Sequence, residues 1–553
     1  MTSSDPRHLP PHSGAPSPSS ATTAQPLATS GIPDSLQTEK SLETIPSPEL
    51  ARLVNAVIWP GFVGTTVPTW LERALRNGLA GVVYFSHNID PQIPGQVAAL
   101  SAAIRAANPS AVVGVDEEGG NVTRLQARDG SAIPGAAVLG ALDEPATTAA
   151  AGRAIARLCR AAGVNLSIAP VADVNTNPLN PVIGVRAFGS DTQLVSVHTA
   201  AAVSGIQELR VGACAKHFPG HGDTVADSHM DVARVALTME QMRAHHLPPF
   251  QAAIDAGVAA MMSAHIIIPE LGEAPATLNP LTGALLRDMG FDGLLITDAL
   301  DMAAVRATVG PGEGGVLALL AGADLLCVGN PLNAYTSGRD DESCYTEVFD
   351  ALMAAVESGR LPVPVLRRAA QRVETFAQWS AQTPHAAQTD GFDSAEADAS
   401  IDWVDVAARA CRIDQGTGAV ELADPDAVLT LIDARTGHNM AAGPTDNFMA
   451  QALMERHRVN AVSASSLNAE NLSDLVSCEE SLGEPVFVMV DSLLSMNQQA
   501  TLAQVAAVAP HAVCINTGLA PQSGPAIGTA LTTIHCHGFS AVTAQAVARL
   551  VGI

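Results

Sequence analysis

Between about Leu53 and Asn330 the sequence repeats one unit eight times: a short apolar run, a polar or glycine-bearing turn, then an Ala/Leu-rich helical stretch. The runs are Leu53–Ile58, Gly81–Phe85, Ala111–Val115, Asn165–Ala169, Gly212–Ala215, Ala259–Ser263, Leu294–Thr297 and Asp324–Val328. An apolar run without alternation suits a strand buried on both faces. Such strands alternating with helices like Pro145–Ala162 and Leu194–Leu209 form parallel sheets. Eight units in succession predict an α/β fold, a (β/α)8 TIM barrel, with a doubly wound open sheet as the competitor. The polar residues favour the barrel. Asp116 and Glu117 end the third run, Asp173 and Asn175 follow the fourth, and Lys216 and His217 end the fifth. His265 ends the sixth and Asp298 the seventh. In a barrel all these strand ends meet on one face, where active sites form.

The remaining chain divides around this unit. Residues 1–46 are rich in Ser, Thr and Pro and read as a disordered tail. The barrel is expected over 47–381, closed by a helix near Pro364–Ala381, and the polar stretch 382–399 reads as a linker. Over 400–553, runs at Ala427–Ile432, Ala461–Ala464, Val486–Val490, Ala512–Asn516 and Thr529–His535 alternate with helices, which predicts a smaller α/β sandwich domain without a catalytic signature.

Charge and composition exclude several classes. A net charge of −26 argues against a nucleic-acid partner. No run of about 18 apolar residues predicts a membrane span. The 8 cysteines form no CxxC and no regular spacing, which suits buried thiols in a reducing compartment. With no leader-like segment in the first residues, the expected location is the cytoplasm. Aromatics are only 3% of the chain, too few for long polymer-gripping platforms, so a small substrate is expected.

The densest chemistry lies in K-H-F-P-G-H-G-D-T-V-A-D-S-H-M-D, Lys216–Asp231. Pro219, Gly220 and Gly222 bend this segment into a loop. Asp227 and His229 are two apart, so the carboxylate can orient the imidazole and raise its basicity, as a proton-transfer pair requires. Alternatively the loop's polar groups only bond one another, or His217, His221, Asp223 and His229 ligate a metal. Against a metal, no HxH or HExxH spacing occurs and Lys216 would repel a cation. Asp298, in I-T-D-A-L-D-M, is placed as a nucleophile at the barrel mouth. Asp301 reads as a cap or first residue of the next helix, though either aspartate fits a cap. Asp116 and Arg124 can hold ligand hydroxyls or pair internally, and Arg186 is a binder or an anchor. Gly310, Gly312 and Gly315 match G-x-G-x-x-G but follow a helix, so a dinucleotide site is not expected.

Taken together, V-D-E-E-G-G-N-V-T-R-L, N-L-S-I-A-P-V-A-D-V-N, G-V-R-A-F-G, K-H-F-P-G-H-G-D-T-V-A-D-S-H and I-T-D-A-L-D-M resemble the family-3 glycoside hydrolases, in their β-N-acetylglucosaminidase branch. The resemblance spans Val115–Met302. It implies a retaining exo-glycosidase with Asp298 as nucleophile, His229 as acid/base and Asp227 as its carboxylate partner. It assigns Asp116, Arg124, Arg186, Lys216 and His217 to sugar binding, on small N-acetylglucosaminides from cell wall or chitin. No metal or organic cofactor is implied. A neutral histidine base does not repel an anion, so a phosphorylase using inorganic phosphate as co-substrate is the alternative activity. A non-catalytic sugar sensor would be expected to lack Asp298 or His229. Two residues depart from the family pattern: Asn121 stands where arginine is usual, and Ala187 where serine is usual.

Overall fold

The computed structural model describes residues 47–224, 233–333, 339–382, 398, 400–417, 428–436, 447–466, 484–521 and 530–552. The tail 1–46, most of the linker 382–399, and Asp227 and His229 lie outside the described residues.

Eight parallel strands build the first domain: β1 Ile58–Pro60, β2 Gly81–Tyr84, β3 Val112–Val115, β4 Leu166–Ser167, β5 Gly212–Phe218, β6 Ala260–Ser263, β7 Leu294–Thr297 and β8 Leu326–Gly329. Strands β2 to β7 are hydrogen-bonded in sequence order. A parallel bridge between Ile296 and Leu325 joins β7 to β8, and β8 pairs with β1. The Asn55 carbonyl accepts from Ala80 N at 3.0 Å, tying the approach to β1 to the approach to β2. The sheet thus curls into a TIM-barrel-like ring.

Both faces of the strands are apolar because each packs into a different core. Val82, Val113, Ala213, Leu295 and Leu326 pack among the surrounding helices. Their neighbours Val83, Val112, Cys214, Leu294 and Cys327 fill a second cluster with Trp59. Burying each larger aliphatic side chain is worth roughly 1.5–3 kcal/mol, so neither face tolerates polar residues before the strand ends. Trp59 is fixed by its indole N–H, which donates to the Val112 carbonyl at 2.9 Å. Its ring lies so close to β3 that a Cβ on Gly114 would come within 2.2 Å of it.

The first predicted run spans the end of a helix and the start of a strand. Leu53 belongs to the helix Ser47–Asn55, whose buried face includes Leu50 and Val54, and the strand starts only at Ile58. A six-residue apolar run joins the end of one element to the start of the next, and periodicity alone cannot separate them. β5 runs past the predicted Ala215 to Phe218, so Lys216 and His217 lie on the strand itself. The Gly310–Gly315 stretch opens the helix Pro311–Leu320, with Gly315 packed against Leu326 and Val348.

The second domain is a six-stranded sheet of β9 Arg412–Asp414, β10 Val428–Asp433, β11 Arg458–Ser463, β12 Val486–Val490, β13 Val513–Asn516 and β14 Thr532–His535. Its order is β9-β14-β13-β12-β10-β11, parallel except for β9, which runs antiparallel to β14. Helices Phe448–Met454 and Ala541–Leu550 cover one face and Met496–Val508 the other. The short charged edge strand β9 was not predicted, and the exposed edge strand β11 begins before its predicted run.

The two domains share an apolar cluster of Val138, Ala407, Ala410, Val542 and Ala546. Asp398 accepts from Arg153 and Arg157, each at 2.7 Å, and Arg409 pairs with Glu144. No helix among the described residues is long and apolar enough to cross a membrane.

Candidate active site

The strand ends β3, β4 and β5 bring together a cluster of buried charge. Lys216 Nζ lies 2.9 Å from Asp116 Oδ1 and 2.6 Å from Glu118 Oε1. Glu118 also receives both arms of Arg186, Nε at 3.0 Å and a terminal nitrogen at 2.8 Å. Arg186 sits in the short turn Gly184–Arg186 and donates as well to the Val182 carbonyl at 3.1 Å. Arg124 approaches Asp116 at 3.7 Å. Within this cluster the Lys216 side chain is 2% exposed and that of Glu118 7%, while that of Asp116 is 21% exposed. Asp116 is therefore the more exposed carboxylate of the pair, and Glu118 the buried one that fastens both cations.

The electrostatics follow from burial opposed by pairing. Burial pushes the Asp116 and Glu118 carboxyls up, but Lys216 with Arg124 for the first, and Arg186 with Lys216 for the second, hold both below the usual range. Burial lowers Lys216, and its two carboxylate partners more than restore it, so it stays charged. Glu117 feels the Arg124 charge only weakly beside its burial. Burial pushes it up to about 7 against the hydrogen bonds of Thr123 and of the backbone N–H groups of Leu125 and Arg124.

A second cluster lies beside the first. Asp173 is fully buried and accepts from His217 Nδ1 at 2.7 Å and from the backbone N–H of His221 at 2.6 Å. His221 Nδ1 is 2.8 Å from Thr224 Oγ1, and Asn180 Nδ2 donates to the His221 carbonyl at 2.8 Å. The root of the Lys216–Asp231 loop is thereby stitched to the segment after β4. These histidines are engaged with a carboxylate and a hydroxyl, and among the described residues no group of metal-ligating side chains occurs.

Asp298 follows β7, half-buried, with its backbone N–H on the Ser263 carbonyl at 3.1 Å and its Oδ1 accepting from Ala299 N at 2.8 Å. His265 braces the same turn: Nε2 is 2.9 Å from the Ala299 carbonyl and Nδ1 is 3.0 Å from Thr277 Oγ1. Burial raises the thiols of Cys214 and Cys327, Cys214 to about 12; the fields of Asp298 and Asp116 add to this at both, Asp301 joins them at Cys327, and Lys216 opposes them at Cys214. Asp301 departs from its reading as a cap. The next helix, Ala303–Arg306, is capped by Met302 without a side-chain bond, and Asp301 is buried, accepting from Asn333 at 3.2 Å.

Of the predicted site residues, Asp116, Arg124, Arg186, Lys216 and His217 converge on the ends of β3 to β5, and Asp298 follows β7, at the same end of the parallel ring. Sequence reasoning did not single out Glu118 or weight Asp173. Three consecutive acids at a strand end carry the signal, but not which of them turns inward.

Residues 67–376 match the model of the glycosyl hydrolase family 3 N-terminal domain, more than half of the chain. The chain belongs to glycosyl hydrolase family 3. This family 3 glycoside hydrolase is 39% identical over 307 residues to a beta-hexosaminidase of Stenotrophomonas maltophilia, covering 54% of this chain and 84% of that one. It shares 28% identity and a TM-score of 0.75 with a family 3 beta-N-acetylglucosaminidase from Paenibacillus sp., over 91% of this chain and 96% of that one. A beta-N-acetylhexosaminidase from Beutenbergia cavernae matches with a TM-score of 0.53 and 28% identity, over 60% of this chain and 98% of that one.

Proposed function

We propose that this chain is a retaining exo-β-N-acetylglucosaminidase acting on small N-acetylglucosaminides. The observation that carries the reading is its likeness to a family 3 beta-N-acetylglucosaminidase over nearly the whole of both chains. A half-buried carboxylate at one strand end and a polar cluster at the same end of three other strands support it.

In this account Asp116, Arg124, Arg186, Lys216 and His217 form the sugar-binding set. Asp116 accepts ring hydroxyls, kept ionised by Lys216 and Arg124. Asp298 attacks the anomeric carbon, and its carboxylate forms an ester as the glycosidic C–O bond breaks. His229, oriented by Asp227, gives its proton to the leaving oxygen and then takes one from water. That water attacks the same carbon, so the sugar departs with net retention. None of these steps calls on a metal or an organic cofactor. A cytoplasmic location accompanies this reading, because all seven cysteines among the described residues carry free thiols.

The test is turnover of an aryl N-acetylglucosaminide and an aryl glucoside, each with and without phosphate. The expected result is preference for the first, free sugar as product and a rate indifferent to phosphate. A rate that requires phosphate, with a sugar 1-phosphate as product, overturns the hydrolytic assignment.

A further inference from the structure

The excursion from β3 to the helix Ala136–Leu142 carries Asp116, Glu118 and Arg124, and one short segment of the second domain grips it twice. Asn121 Oδ1 accepts from the backbone N–H of Phe539 at 2.6 Å, and the Ser131 carbonyl accepts from Val542 N at 3.2 Å. Asn121 sits on a tight turn in which Glu118 N donates to the Val122 carbonyl at 3.0 Å and Val122 N to that of Gly119 at 3.3 Å. Gly119 and Gly120 have φ of +80° and +58°, and a Cβ on Gly120 would meet Gly135 Cα at 2.5 Å, so two of the turn's four positions carry no side chain and Val122 alone packs inward. The donor is fixed. The Arg435 guanidinium lies 3.3 Å from the centre of the Phe539 ring, Phe448 packs beside that ring, and Ser540 caps the helix Ala541–Leu550.

We propose that Asn121 is a positioning residue. Through its bond to Phe539 N–H, the second domain holds the Gly119–Val122 turn, and with it Asp116 and Arg124, in the register that binds sugar. Glu117, accepting from the backbone N–H groups of Arg124 and Leu125 at 3.1 and 3.0 Å, passes the constraint to the far side of the turn. The departure at this position is chemically apt. An arginine there carries donors only and cannot accept from an N–H, whereas an asparagine carbonyl can. The inference rests on the N-acetylglucosaminidase reading for its kinetic consequence, but not for its structural one.

The experiment compares full-length Asn121→Ala and Asn121→Asp with the unaltered chain. Arg409→Ala, which removes an exposed domain-spanning ion pair outside the turn, is the control. KM and kcat on an aryl N-acetylglucosaminide are read beside amide hydrogen exchange of the 116–125 peptide. Losing one hydrogen bond that acts on binding predicts that Asn121→Ala raises KM about 3- to 10-fold with kcat within about twofold. Exchange in the peptide speeds up, while Asn121→Asp, which keeps an acceptor, and Arg409→Ala stay near the unaltered values. Unchanged KM and exchange in Asn121→Ala overturn the proposal, as does an equal KM rise in Arg409→Ala. An unaltered chain without turnover, together with faster exchange in Asn121→Ala alone, upholds the latch and sinks the activity reading instead.

Discussion

Lys216 reaches two carboxylates at once, and Glu118 holds two cations at once, so each charge in this cluster depends on the others. Removing one member leaves buried, uncompensated charge, which costs about 3–5 kcal/mol when the pair is desolvated. Glu118→Gln should therefore lower the thermal midpoint and raise KM together, because Lys216 and Arg186 lose the group that orients them; an unchanged midpoint in a melting experiment contradicts this. Glu117 behaves differently. Its folded value of about 7 lies above the ordinary 4.5, so between those pH values the folded chain keeps a proton that the unfolded chain has released. Stability then falls as pH rises through that window and levels off above it, by an amount on the order of a few kcal/mol. Glu117→Gln cannot titrate and should flatten the profile in denaturant unfolding at about pH 5 and pH 7; parallel losses in both proteins would rule the account out. At the proton-transfer step, His229→Ala should slow substrates with poor leaving groups far more than activated aryl glycosides. Equal losses on both would argue against its acid role. Asp116 and Lys216 were legible as site residues because a charged side chain at the end of an apolar strand needs a partner. That Glu118 joins them by sharing Lys216 was not, since adjacency in sequence does not say which of Asp116, Glu117 and Glu118 meets the lysine.

At the level of elements, strands buried on both faces are the easiest to read, and β2, β3, β6 and β7 fall within a residue of their predicted runs. The misses have a common cause. β1 follows a helix whose last apolar residues merge with it, and β9 is a three-residue edge strand of Arg, Ile and Asp whose place is decided by pairing with β14. Asp324, at the start of β8, shows what closes the ring at the opposite end from the site. It is fully buried, accepts from Leu295 N at 2.9 Å, and meets Arg287 at 2.7 Å and Arg372 at 3.3 Å. Asp324→Ala should cost about 3–5 kcal/mol, the range for breaking a buried pair from one side. Denaturant midpoints check this, and a loss under about 1 kcal/mol would show that the pairing does not secure β7 to β8.

For the whole molecule, the proposed site lies on the barrel, and the second domain borders the loop after β3 at Asn121 and Ser131. Strand ends separated by nearly two hundred residues, from Asp116 to Asp298, come to one face because the parallel ring points every carboxyl end the same way. That convergence makes Asp298 the nucleophile in this account. Its most direct test is incubation with an activated, fluorine-substituted N-acetylglucosaminyl trap, followed by peptide mass analysis. One glycosyl adduct per chain, carried on Asp298, is the predicted result. An adduct on Asp301 or Glu118, or inactivation without any adduct, would contradict it.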